Sequence, residues 1–182
     1  LMENGRRGMF FGKKLPISEA IHQCAKKYHG YFFAWAIIYT FWYHPMVNTQ
    51  GHLIGFIYMF LLMLQGSLFF TLIHINRWWM VVQEATVAIH GTLVAVMQGN
   101  DLWPMFLFGF GGIFVITQMF GLKISKTLRW IIIAAYIIAV LAVYIPAGIG
   151  RINEIVRIPV IEYLSVVVLA LLFGGGLWVF RK

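Results

Sequence analysis

Four histidines, His29, His44, His74 and His90, carry the most suggestive chemistry in this sequence. With a helical rise of ~1.5 Å per residue, His90 lies roughly 18 Å along from Trp78 and His44 roughly 20 Å along from Tyr31. The two therefore share one level, while His29 and His74 share a second level near the opposite ends of the same apolar runs. His29 and His44 also lie only about 60° apart around a helix. Two levels of paired imidazoles are an arrangement able to hold two stacked b-type haems, each iron gripped by a histidine from either side. Each ligating imidazole then needs an acceptor for its other nitrogen. A second chemistry uses His44, His52 and Asp101, since two histidines with a carboxylate can ligate a divalent transition-metal ion.

Glu84 is the other chemical feature of the apolar runs, about 9 Å inside its run by helical rise. Ser67, Thr71, Thr117 and Gln118 reach similar depths on neighbouring runs. Gln83, Thr86 and His90 fall on one helical face, and Gly91 beside His90 leaves room for a planar group or another helix. An ionisable side chain within hydrocarbon is costly, so it is a functional suspect by default. A proton relay or a quinone-headgroup site would use Glu84, Gln83, Ser67, Thr71 and Gln118 together.

The elements that must position these groups are long apolar runs. A spanning helix needs about 20 predominantly apolar residues, and six runs qualify: 31–47, 52–75, 78–98, 102–121, 129–149 and 158–180. The expected fold is an all-α integral membrane protein with six transmembrane helices in one antiparallel bundle, because short connections make sequential helices antiparallel neighbours. Residues 1–30 form a basic cytoplasmic head, and residues 31–182 form the bundle. Within the head, Ile17, Ala20, Ile21, Cys24, Ala25 and Tyr28 recur at helical spacing after Ser18, a cap residue. That stripe predicts a short amphipathic helix lying on the membrane surface.

Charge orients the bundle. Of 14 Lys and Arg residues, all but Arg151 and Arg157 fall on one side of the runs. Positive residues are retained on the cytoplasmic side, which places both termini there and suggests a prokaryotic cytoplasmic membrane. Trp42, Trp78, Trp79, Trp103, Trp130 and Trp178 sit near run ends, as interfacial aromatics do. No cleavable signal peptide is expected, since the basic head leads directly into a full-length run.

Composition narrows the classes further. The 182 residues are 61% hydrophobic, 17% aromatic and only 11% charged, against about 25% charged in soluble domains. The net charge of +8 is explained by segments flanking the helices and meeting anionic lipid, and no nucleic-acid partner is expected. Cys24 is the single cysteine, so no intrachain disulfide forms. Hydrolase, P-loop and His-Glu-x-x-His signatures are missing. The cytochrome b561 family also combines six spans with two haems, but it places ligands on its four central helices. Here the fourth and fifth runs contain no histidine, so only the span number agrees.

Three functions follow as expectations. The first is a membrane redox subunit with haem b on His44, His90, His29 and His74, relaying electrons or protons near a quinone and partnered by other membrane subunits. The second is a non-catalytic structural or assembly subunit of a larger membrane complex. The third is a small-solute transporter or channel, whose broken helices and repeats are not legible here: Pro146 and Pro159 fall near run ends.

Overall fold

The computed structural model describes residues 1–43, 50–99 and 101–180, apart from the side chain of Tyr43, and among these the regular structure is helical without strands. The order is α1 (Asn4–Arg7), α2 (Glu19–Tyr43), α3 (Gln50–Ser67), α4 (Arg77–Gln98) and α5 (Trp103–Ile116). A 3-10 turn at Gln118–Leu122 leads to α6 (Lys126–Ala147), and a second at Ile149–Val156 leads to α7 (Arg157–Val179).

Local chemistry sets the boundaries. The Ile21 amide donates to Ser18 Oγ at 3.4 Å, so the expected cap does open α2. Asn76 Oδ1 accepts from the amides of Trp78 and Trp79 at 2.9 and 3.3 Å, satisfying the first turn of α4. Gly99, at φ +65°, ends α4 in a left-handed conformation that glycine adopts without penalty. Ser125 Oγ accepts from Leu128 at 3.2 Å and starts α6.

Several boundaries differ from the sequence expectation: α3 ends at Ser67 within the run 52–75, and α5 ends at Ile116 within the run 102–121. The amphipathic stripe and the first apolar run form one continuous helix of 25 residues, without a break between a surface helix and a span. Gly30 is the only weak point at that junction. A single helical glycine costs only about 1 kcal/mol relative to alanine, too little to interrupt the ladder on either side.

Among the described residues, three helical stretches are long and apolar enough to cross a membrane: Arg77–Gln98, Lys126–Ala147 and Ile149–Val179. The other runs are diluted or short. Gln50, His52, Gln65 and Ser67 occupy the ends of α3, α5 has 14 residues, and the first half of α2 is polar. Much of the remaining apolar surface faces outward, including Trp35, Ile38, Ile57, Phe60, Trp130, Ile138, Ile161 and Leu171. Surface of that extent marks contact with lipid or protein rather than water. The chain is thus helical, with the features of an integral membrane protein.

The helices belong to two compact units: Leu1–Lys27 with Pro104–Lys182, and Tyr28–Trp103. In the first, Phe108, Val140 and Tyr144 form a buried cluster flanked by Tyr136, Val143 and Ile155. Gly109 admits Ile158, and a β-carbon there would stand 3.0 Å from the Ile158 Cβ. The segment before α2 is clasped onto this unit. Asn4 bonds both backbone groups of Leu15, at 3.0 and 2.8 Å. Thr117 Oγ1 donates to the Met9 carbonyl at 2.6 Å, so its contact of 2.6 Å with Tyr163 is one in which the phenol donates.

In the second unit, α3 and α4 run antiparallel. Gln65 meets Trp79, Leu61 meets Gln83, and Tyr58 meets His90, so one number rises as the other falls.

Candidate functional site

The cluster nearest to a chemical site sits where α2, the end of α3 and the loop into α4 converge. The imidazoles of His29 and His74 lie 6.0 Å apart, centre to centre, with planes inclined at 40°. Both were expected near run ends, and the fold sets His29, on α2, beside His74, which lies in the loop after α3. Phe69 completes the group at 5.2 Å from His29 and 4.6 Å from His74, stacked on the latter. Gly30 makes room for it: a β-carbon there would lie 3.1 Å from the phenyl ring.

Gln65 holds the other side of the cluster. It is buried and accepts the indole N–H of Trp79. Its amide nitrogen reaches the His74 carbonyl at 3.3 Å and the Met80 sulfur at 3.7 Å. The Gln65 backbone carbonyl lies 3.2 Å from His74 Nδ1. A carbonyl only accepts, so the neutral imidazole carries its proton on Nδ1 and keeps the Nε2 lone pair. That is how a ligating histidine is usually oriented by its surroundings.

No known protein family, curated protein or solved structure matches this chain.

The donor set can be tested against haem directly. Metal–nitrogen bonds of about 2 Å place two imidazole centres roughly 6 Å apart across one ion, which agrees with the separation of His29 and His74. Phe69 is the obstacle. Its ring centre is closer to each imidazole than the imidazoles are to one another, so it stands where a porphyrin would pass between them. The separation alone matches two imidazoles on one ion, and a porphyrin between them requires Phe69 to turn aside.

The remaining expected residues are dispersed. His44 lies outside the described residues, and with it the pair expected with His90 and the group expected with His52 and Asp101. His90 is half-buried on α4 and stacks on Tyr58 at 6.2 Å and 23°. His52 lies in the first turn of α3, and Asp101 is exposed just before α5. Among the described residues, no group of three His, Cys, Asp or Glu side chains is placed to hold a metal ion.

Of the groups expected around a quinone, only Gln83 is buried. Its amide nitrogen donates to the Leu61 carbonyl at 3.2 Å, which fixes the amide. Its Oε1 is buried without a hydrogen-bond partner among the described residues. Glu84 follows it, half-buried. Ser67 and Thr71 are exposed and turn their hydroxyls back to the carbonyls of Met63 and Leu68, at 3.0 and 2.9 Å. Gln118 begins a 3-10 turn in the other compact unit.

Gln65, Trp79 and Phe69 were not expected at a site. A glutamine inside the apolar run 52–75 was the available signal, since a buried amide has to find partners. At the far end of α6, Arg151 forms a two-pronged pair with Glu154, at 3.1 and 3.2 Å.

Proposed function

We propose that this chain is a polytopic membrane subunit of a redox complex, with His29 and His74 as axial ligands of a b-type haem. The six apolar runs are read as six spans with both termini in the cytoplasm of a prokaryotic cell. When bound, haem supplies one-electron transfer. The residues of this chain grip and orient it: His74 through Nε2 with its other nitrogen tied to Gln65, and His29 from α2. Gly30 leaves the backbone bare beside the pair. Gln83 offers an acceptor within the α3–α4 seam, suited to a quinol hydroxyl or a proton-relaying water, with Glu84 next to it. His44 and His90 would serve a second haem.

The observation that supports this reading best is the 6.0 Å separation of two imidazoles, one of them already oriented by a carbonyl. The experiment is a pair of absorption spectra, oxidised and dithionite-reduced, on protein purified gently from its native membrane, with metal analysis of the same sample. A reduced b-type spectrum that disappears in His29→Ala and His74→Ala is the expected result. A featureless spectrum without iron would sink the proposal.

A second reading has its own support. Phe69 packed against both imidazoles and stacked on His74 is also how a purely structural aromatic cluster packs. A non-catalytic subunit of a membrane complex would keep this cluster, remain colourless and co-purify with partners in fixed stoichiometry.

A further inference from the structure

We infer that the segment before α2 and the start of α6 together form a binding site for the headgroup of an anionic phospholipid. The site is organised around Phe120. The Phe11 ring meets it edge-on at 6.1 Å, and Gly12 lies against it so closely that a β-carbon would stand 3.1 Å away. The Arg129 guanidinium covers it at 5.0 Å and donates to the Ile124 carbonyl at 3.0 Å. The Arg129 Nε has no hydrogen-bond partner among the described residues.

Cations gather on this frame. Lys13 and Lys14 follow Gly12, while Lys123 and Lys126 follow Phe120, and all four are exposed. Among the described residues no carboxylate pairs with them. Glu3, the acid of the clasp, is taken by Arg6 and Arg7 at 2.5 and 3.7 Å. A fixed arginine fork among lysines is the chemistry that recognises phosphate oxygens.

Two observations select a lipid as the source of that phosphate. Lys126 and Arg129 open α6, one of the helices long and apolar enough to cross a membrane, which sets them where hydrocarbon gives way to headgroups. Aromatic rings stand out beside them. Trp130 is 62% exposed, and Phe11 is 56% exposed while held at φ +49°, a conformation uncommon outside glycine. The turn closed by Phe10 and Lys13 thus presents an aromatic ring between cations. That pairing suits a membrane interface.

The test is native mass spectrometry of the full-length, detergent-purified protein with phosphatidylglycerol or phosphatidylcholine. Phosphatidylglycerol should be retained preferentially, less so as salt rises. K13Q/K123Q should weaken its retention about tenfold, whereas K26Q/K27Q, with the same change in charge on α2, should leave it nearly intact. Equal retention of the two lipids, insensitivity to salt, or equal loss in both double variants would overturn the site. Displacement of the lipid by inorganic phosphate or by an oligo-glutamate peptide would overturn it too.

Discussion

Trp79 donates its indole N–H to the side-chain carbonyl of Gln65, joining the last turn of α3 to the first turn of α4. The same glutamine reaches back to the His74 carbonyl at 3.3 Å, so one side chain holds both helices and the loop between them. His74 owes its position to this knot.

Gln65→Leu keeps the volume and removes every side-chain bond, leaving the backbone carbonyl's contact with His74 Nδ1. Side-chain hydrogen bonds between membrane helices contribute about 0.6 kcal/mol each on average and up to about 1.7. A total loss on the order of 1–2 kcal/mol is therefore expected, read as a lowered unfolding midpoint in detergent. Proteolysis of the 68–76 loop should rise in parallel, and an unchanged loop would refute the role given to Gln65.

Phe69→Ala separates the two readings of the histidine pair. If the pair ligates haem, removing the phenyl ring should leave haem content per chain unchanged or raised, measured as the pyridine haemochrome. If the cluster only packs, the variant gains no haem and loses about 3–5 kcal/mol or less of stability, depending on how far the site collapses.

Gly109→Ala should be costly, because the new carbon would stand 3.0 Å from the branched Cβ of Ile158. Overpacking of this kind costs about 1–3 kcal/mol. Gly175→Ala, where nothing lies within 4 Å, should be neutral or slightly stabilising. Equal midpoints for the two variants would show that Gly109 does not set the approach of α5 to α7.

Thr117→Val retains the shape and deletes both hydroxyl bonds that hold the Met9 carbonyl and the Tyr163 phenol. Leaving such groups unsatisfied costs about 1–3 kcal/mol. Trypsin should then cut faster at Lys13 and Lys14, with cleavage at Lys126 little changed. Cleavage that stays slow at both lysines would mean that the clasp is held by other contacts.

The helices were legible because each apolar run is a continuous solution to burying backbone polar groups away from water. That His29 and His74 stand near the ends of apolar runs was legible too, but His74 lies in the loop after α3, so counting along a helix does not place it. What the sequence could not reveal was sideways placement. Ser67 bonds back to its own helix and Thr71 to Leu68 in the loop that follows, whereas Gln83 enters a seam. Depth follows from counting residues; the direction a side chain faces follows from packing. The continuous α2 was missed for a related reason. A change from polar to apolar composition looks like a boundary, yet the backbone hydrogen bonds run straight through it.

The clasp on the segment before α2 also bears on biosynthesis. Met9 and Thr117 are 108 positions apart, and Tyr163, which completes the bond network, is made later still. Residues 4–18 leave the ribosome early, and their bonds to Thr117 and Tyr163 wait until the ends of α5 and α7 have been made. A quality-control protease that recognises a loose leading segment would be reading, at one end of the chain, whether the other end has arrived.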